Sequence, residues 1–542
     1  MNLFERILAA RGLTGETRAA FLMPDYGLMH DPFLLPDMDK AVKRLVKARK
    51  NQEHITIYGD YDIDGLTATT VLLDALGSFG FEHVEAFIPN RFVEGYGLTV
   101  DAIERIASTG AKLIITVDCG SLSHKEITRA NELGVDVIVT DHHNVADTPP
   151  PAVATINPKR SDHNYPFIDL AGVGVAFKLV QALQTKLEGL PLGQEKWLLD
   201  LVALGTVCDV VTLVDENRLF VHYGLKVLVQ TRRPGLKALM AVASVTPENL
   251  TTRSLGFALG PRMNAAGRLE TAQHALDMLR SREGMVALEV AQHLDAMNLS
   301  RRADQDKIFK AAIIQAETYK NDDVLVVSHP DWNHGIVGIV AAKLLEKYHK
   351  PTYVLQEMGK EAKGSARSYG DFSAADAIRA ADDIITKGGG HKLAAGVSMP
   401  TKNIDAFRRR VNEFYKSQKL FNQQALLLPK ADVDAELAEV TEELITQIAV
   451  LEPFGNGNPQ PIIKTNGLLV KYIRRMGTEG QHVKLELQDA KGEVMQFLAF
   501  SAPDHFFVEL GARVDIWFQP DINEWQGRRT VEGRLLHLEI GE

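Results

Sequence analysis

Cysteine is almost missing from this chain: its 542 residues include two, Cys119 and Cys208. That excludes a disulfide-stapled fold, and both are expected to be small buried thiols in a reducing cytoplasm. Long apolar runs are missing too. None approaches the roughly 18 uninterrupted residues of a membrane span, so no membrane partner is expected. Residues 1–13 carry Glu5 and lack the basic start and long apolar core of a signal peptide. An excess of positive charge is also absent, the net charge being −10, whereas many nucleic-acid binders are strongly basic. Local clusters matter more than totals, so the expectation is a narrow positive groove on an acidic body, with bound cations offsetting part of the negative charge. What the chain does hold is apolar residues, 45%, as in globular proteins, and a length that suggests three or four domains.

The most informative stretch is Gly59-Asp60-Tyr61-Asp62-Ile63-Asp64-Gly65. An apolar run, 55–58, precedes it and a helical pattern follows, so it reads as strand, tight turn, helix. Its carboxylates then sit at the carboxyl end of a strand, where open α/β sheets bind ligands. Carboxylates packed so closely repel one another unless a positive charge lies between them, and hard divalent cations favour oxygen ligands. Three further apolar segments end similarly: 112–117 in Asp118, 135–140 in Asp141-His142-His143, and 201–208 in Asp209. A single such ending is ordinary turn or cap chemistry. If the strands are parallel neighbours, their ends converge on one crevice, and the joint reading is a metal site.

Asp-His-His after a strand, with DxDxDG upstream, resembles the DHH phosphoesterase superfamily. Pro261-Arg262-Met263-Asn264-Ala265-Ala266-Gly267-Arg268, residues 332–339, Ser365-Ala366-Arg367-Ser368 and residues 388–396 narrow the resemblance to the RecJ single-strand-specific exonucleases, over nearly the whole chain. The resemblance implies two Mn²⁺ ions, with Mg²⁺ the alternative, held by Asp62, Asp64, Asp118, His142 and Asp209, with Asp118 bridging. A mixed carboxylate and imidazole set suits Mn²⁺. Asp60 and His143 would orient ligands or meet the phosphate. It further implies metal-dependent 5′ to 3′ hydrolysis of single-stranded DNA in recombination, mismatch repair and base-excision repair. The implied partners are single-stranded DNA with a 5′ end, a single-strand-binding protein and a helicase, and the chain is expected to be a monomer. Two other readings are a DHH phosphodiesterase for short oligonucleotides or cyclic dinucleotides, and a non-catalytic replication scaffold.

The expected fold class is α/β: a parallel-sheet DHH domain and a DHH-associated domain joined by long helices, then an OB-like β-barrel. Residues 1–50 read as a helical segment and 51–215 as the DHH catalytic domain. Residues 216–320 read as a helical region and connecting helix, 321–425 as the DHH-associated domain, 426–461 as a linker that is Pro/Gly/Asn-rich over 451–461, and 462–542 as the barrel. By spacing alone Arg91 is a surface charge; the resemblance makes it a ligand of the 5′-phosphate, completed by Ser365 and Arg367. Arg262, Asn264 and Arg268 read as a glycine-containing loop suited to phosphates, or as a salt-bridged loop. His334 is expected to open a helix whose N–H groups suit an anion. Gly389 and Gly390 before His391 would let backbone approach a phosphate. The Gly172-Val173-Gly174 pattern lacks the third glycine of a dinucleotide fingerprint, and helix packing accounts for it. Arg301 and Arg302 are expected in solvent. In the barrel, Lys471, Arg474, Arg475, Lys484, Arg528 and Arg529 interleave with Tyr472, Trp517 and Trp525, a pattern suited to single strands, with the outward-facing aromatics left open.

Overall fold

The structure is a computed structural model describing residues 1–95, 97–418, 420, 426 and 428–541. Tyr96 and the domain boundary read at 425 lie outside the described residues. The chain divides into two compact units. The first comprises Met1–Pro261, Ala272–Glu289 and Pro429–Glu542; the second comprises Arg262–Thr271 and Val290–Leu428.

In the first unit β1 (Ile55–Gly59), β2 (Val84–Phe87), β3 (Leu113–Val117), β4 (Asp136–Thr140) and β5 (Ala154–Ile156) form a parallel sheet ordered β2-β1-β3-β4-β5. β1 and β3 are buried along their whole length, as continuous apolar runs in covered parallel sheets are. Val100–Ser108 and His124–Glu132 close a core with Ile103, Ile106, Ile127 and Ile114. Ile63–Ser78, Gly172–Gln184 and Leu199–Cys208 pack together as a second helical layer.

The apolar segment before Asp209 is therefore a helix, not a fourth strand end. An unbroken apolar run has no period that separates a buried strand from a buried helix, and Leu199–Thr206 are buried throughout. The 262–268 stretch is likewise no loop: it lies in the Gly260–Leu269 helix. Gly260 allows close packing there, because a Cβ would fall 2.7 Å from Cys208 Sγ. Cys119 is buried, Cys208 is half-buried, and both are free thiols.

Residues 426–461, read as a linker, instead build part of the barrel domain. They contain β11 (Val433–Asp434) and the Glu442–Ala449 helix. Leu437, Val440, Leu444, Ile448 and Leu451 share a core with Leu3, Ile7 and Leu8 of the Leu3–Ala10 helix. The Pro/Gly/Asn composition of 451–461 drew attention away from the helical spacing before it. β12 (Ile463–Met476), β13 (His482–Gln488), β14 (Val494–Ala499), β15 (Arg513–Trp525) and β16 (Arg528–Ile540) follow in the spatial order β12-β13-β14-β16-β15, and β12 pairs with β15 to close the barrel.

In the second unit β6 (Leu325–His329), β7 (Thr352–Met358), β8 (Glu361–Arg367), β9 (Lys387–Gly390) and β10 (Ala394–Pro400) run in the order β6-β7-β8-β10-β9. Only the β6–β7 pair is parallel. The 35-residue helix Gly284–Thr318 carries the chain into this unit. On it Arg301, expected in solvent, is 8% exposed and donates to Asn298 and Gln305; Arg302 is exposed as expected.

Candidate metal centre

Three strand ends and one helix end supply the centre. After β1 the chain turns through Asp60-Tyr61-Asp62 into the Ile63–Ser78 helix, and Asp62 caps it by accepting the Gly65 N–H at 3.1 Å. Gly65 has no substitute: a Cβ would lie 2.5–2.7 Å from the Asp60 backbone. Asp118 follows β3 with φ of +61°, a conformation that costs free energy for a residue with a Cβ and recurs at functional sites. Asp141, His142 and His143 follow β4, and Asp209 ends the Leu199–Cys208 helix.

These side chains meet in one place. His142 Nε2 lies 3.1 Å from Asp118 Oδ1, 3.6 Å from Asp209 Oδ2 and 3.8 Å from Asp64 Oδ2. Ligand atoms of Asp60, Asp62 and Asp118 lie within 4.8 Å of one another, as do those of Asp64, His142 and Asp209, and those of Asp118, His142 and His143. Asp60, expected only to assist, thus stands among potential ligands. Asp60 Oδ1, Asp118 Oδ1 and His142 Nε2 are buried without a hydrogen-bond partner. Buried polar atoms are paired in roughly nine cases in ten, so three without a hydrogen bond at one point suit the binding of a cation. The donor set of carboxylate oxygens with a neutral imidazole is that of a transition-metal or Mn²⁺ site.

The electrostatics agree. Burial, reinforced by Asp62, raises Asp60 and lifts Asp64 to about 7. Burial with Asp64 and Asp62 lifts Asp209 to about 9 and raises Asp118 as well. Burial and the adjacent His143 lower His142 to about 3, leaving its ring neutral and able to ligate. His143 goes the other way: burial opposes its charge, but the bond from Nδ1 to Asp141 Oδ1, 2.9 Å, raises it.

Asp141 is the residue that sequence reasoning passed over, although it opens the Asp-His-His run. It is 1% exposed and accepts the N–H groups of Ser121, His142 and His143 as well as the His143 ring. These bonds overcome burial and hold its carboxyl below the ordinary range. Asn157 fastens the same corner, donating to Ser121 Oγ and the His143 carbonyl. Gly172 and Val173 also have a role beyond packing. Their N–H groups, at the start of the Gly172–Gln184 helix, donate to the two oxygens of Asp64 at 2.6 and 2.8 Å. A Cβ on Gly172 would fall 2.8–2.9 Å from Asp118 and Asp64.

Arg91 stands beside this centre, its guanidinium carbon 5.3 Å from the Tyr61 ring centroid, and its charge acts on Asp60. In the second unit Ser365 and Arg367 lie on β8, half-buried. A Cβ on Gly338, in the first turn of the Val337–Tyr348 helix, would sit 3.3 Å from both side chains. Ser365 and Gly389 fall in one row, both opposite Gly396 of β10. Gly390 belongs to β9, and the exposed His391 turns the chain by donating its N–H to the Ala394 carbonyl. His334 does not open a helix with a free amide: the helix starts at Val337, and the His334 N–H donates to Gln356 Oε1 at 2.9 Å. Arg262 is ion-paired with Asp295 at 2.8 Å, Arg268 donates to the Gly335 carbonyl, and Asn264 is half-buried on the same helix. In the barrel, Trp525 (71% exposed) and Tyr472 face outward, as does Phe500, whereas Lys464 covers Trp517.

A parallel sheet whose strand ends carry DxDxDG and Asp-His-His defines a protein of the DHH class, and residues 54–206 match the DHH family, N-terminal domain. Residues 321–417 match the DHHA1 domain and 431–537 the RecJ OB domain. The single-stranded-DNA-specific exonuclease RecJ of Bacillus subtilis is 36% identical over 100% of this chain and 68% of its own length. The crystal structure of RecJ from Thermus thermophilus in complex with Mn²⁺ matches with a TM-score of 0.83 at 29% identity, covering 99% of this chain and 78% of that one. The Mg²⁺ complex from the same organism matches at 0.77 and 28%, covering 99% and 77%. The chain belongs to the RecJ family. Among the described residues, no helix is long and apolar enough to cross a membrane.

Proposed function

We propose that this protein is a metal-dependent exonuclease that hydrolyses single-stranded DNA from the 5′ end, acting in recombination, mismatch repair and base-excision repair. The observation that carries the reading is the convergence of Asp60, Asp62, Asp64, Asp118, His142 and Asp209, with three buried polar atoms that make no hydrogen bond. Asp64, His142 and Asp209 would hold one Mn²⁺ or Mg²⁺ ion and Asp60, Asp62 and Asp118 a second. Bound ions would supply Lewis-acid stabilisation of the attacked phosphate and acidify a water. The chain's own residues do the positioning. The Gly172 and Val173 amides fix both oxygens of Asp64. Asp141 fixes the His143 ring and favours its protonated form, which presents positive charge to a phosphate oxygen.

Arg91, Ser365 and Arg367 bind the 5′-phosphate in this reading, and Arg268, His334, Gly389, Gly390 and His391 support the strand's backbone. Arg262 acts through its ion pair with Asp295, and Asn264 shares its helix. Trp525 and Tyr472 offer stacking surfaces for bases. A cytoplasmic monomer working with a single-strand-binding protein and a helicase completes the proposal.

The test is digestion of 5′-labelled and 3′-labelled single-stranded oligonucleotides with Mn²⁺. Mononucleotide release from the 5′ end is expected, with Asp118→Ala reducing kcat/KM by at least about 10³-fold, or about 4 kcal/mol. Loss of the 3′ end first would overturn the role of Arg91, Ser365 and Arg367. Cleavage of dinucleotides alone would make the protein a small-substrate phosphodiesterase, and inactivity with every metal would make it a scaffold.

A further inference from the structure

Asp209 enters the centre from a strained turn. Its N–H closes the preceding helix on the Gly205 carbonyl at 2.9 Å. Val210 follows with φ of +63°. A β-branched residue in the left-handed region is an outlier, and such strain persists only where the surroundings impose it. The Val210 side chain does not impose it, being 66% exposed.

The restraint comes from 246 residues further along the chain. Asn456 Nδ2 donates to the Val210 carbonyl at 2.8 Å, and the Leu213 N–H donates to the Asn456 carbonyl at 2.7 Å. Glycines on either side permit this approach: a Cβ would fall 2.6 Å from Leu213 Cδ1 at Gly455, and 3.1 Å from Thr212 Cβ at Gly457. Asn458 holds the loop in shape, its Nδ2 donating to the Leu451 and Pro453 carbonyls at 3.0 Å each. The loop is anchored again where Arg218 donates to the Glu452 carbonyl at 2.7 Å and Thr252 Oγ1 to the Phe454 carbonyl at 2.6 Å.

We propose that Asn456 is a positioning residue for the metal centre: through the Val210 carbonyl it holds the left-handed turn that aims Asp209 at His142. The proposal rests on the metal-centre reading above. It assigns the Pro453–Pro459 stretch a task beyond joining the barrel to the catalytic domain. Asn456 is exposed, so its truncation leaves the core packing intact.

The experiment is calorimetric titration of Mn²⁺ into the full-length protein without DNA. Asn456→Ala is expected to weaken Mn²⁺ binding about tenfold, the lower end of what loss of a ligand-orienting partner costs. Val210→Gly removes the strain and should bind Mn²⁺ as wild type does; combined with Asn456→Ala it should recover most of the lost affinity. Thr252→Val, which removes a different anchor of the same loop, should leave the affinity unchanged. Unaltered binding by Asn456→Ala overturns the inference while the centre stands. A loss that Val210→Gly does not repair, or an equal loss in Thr252→Val, reduces Asn456 to a docking contact and also overturns it. Wild-type protein that binds no Mn²⁺ overturns the centre itself.

Discussion

Asp118 and Trp525 mark two extremes within the first unit. Asp118 is 1% exposed, in a strained conformation, with one oxygen lacking a partner among neighbouring carboxylates. Trp525 is 71% exposed at the tip of the β15–β16 hairpin. Around the first, carboxyl groups are buried against one another, so electrostatic effects are large. On the barrel, two of the basic residues are already engaged: Arg529 pairs with Glu442 at 2.6 Å, and the Arg475 guanidinium lies 3.6 Å from the Phe507 ring centroid. The contrast separates chemistry, concentrated in a few atoms, from strand holding, spread over many weak contacts.

The sharpest way to break that contrast is Gly172→Ala. Its methyl group has no space against Asp118 and Asp64, so Mn²⁺ affinity should drop about 100-fold with little change in DNA binding, read by calorimetry and by fluorescence anisotropy. An equal effect on both would remove the distinction.

The next effect is on stability. Asp64 and Asp209 have folded-state pKa values of about 7 and about 9, above the roughly 3.9 of an unfolded aspartate. The folded protein therefore holds extra protons, and that stability is lost as pH rises through those values. Chelated protein should melt progressively lower from pH 6 to 9, while Mn²⁺, taking the place of the protons, should flatten the slope. A chelated profile as flat as the loaded one would contradict the buried acidic centre.

Trp525→Ala should weaken single-strand binding about tenfold, within the 1–3 kcal/mol of one stacked base, and leave Mn²⁺ affinity untouched. Smallest of all, Arg529→Ala should change DNA affinity no more than about twofold, since exposed ion pairs contribute about 0–1 kcal/mol. A larger loss would show that Arg529 leaves Glu442 for a phosphate.

The strand-end motifs were legible because each depends on neighbours in sequence: β1 and β3 are largely apolar runs, each with a single threonine, and the acids follow directly. The barrel strands were legible for a related reason, the alternation seen in His482–Gln488, whose burial alternates in turn. Residues 201–208 and 262–268 were misjudged because an apolar run carries no period and a glycine has more than one use. Residues 426–461 were misjudged because composition outweighed the spacing of Leu437, Val440, Leu444 and Ile448.

Sequence alone determined the family, the sheet that carries the acids, and the side chains that gather at its edge. Tertiary structure alone decided how those side chains are held. Asp64 is gripped by amides more than a hundred residues away, and Asp209 stands on a turn fastened by Asn456. The physical reason is that a backbone amide or carbonyl has no residue-type signature: any sequence supplies one, and only the fold brings it within hydrogen-bonding distance.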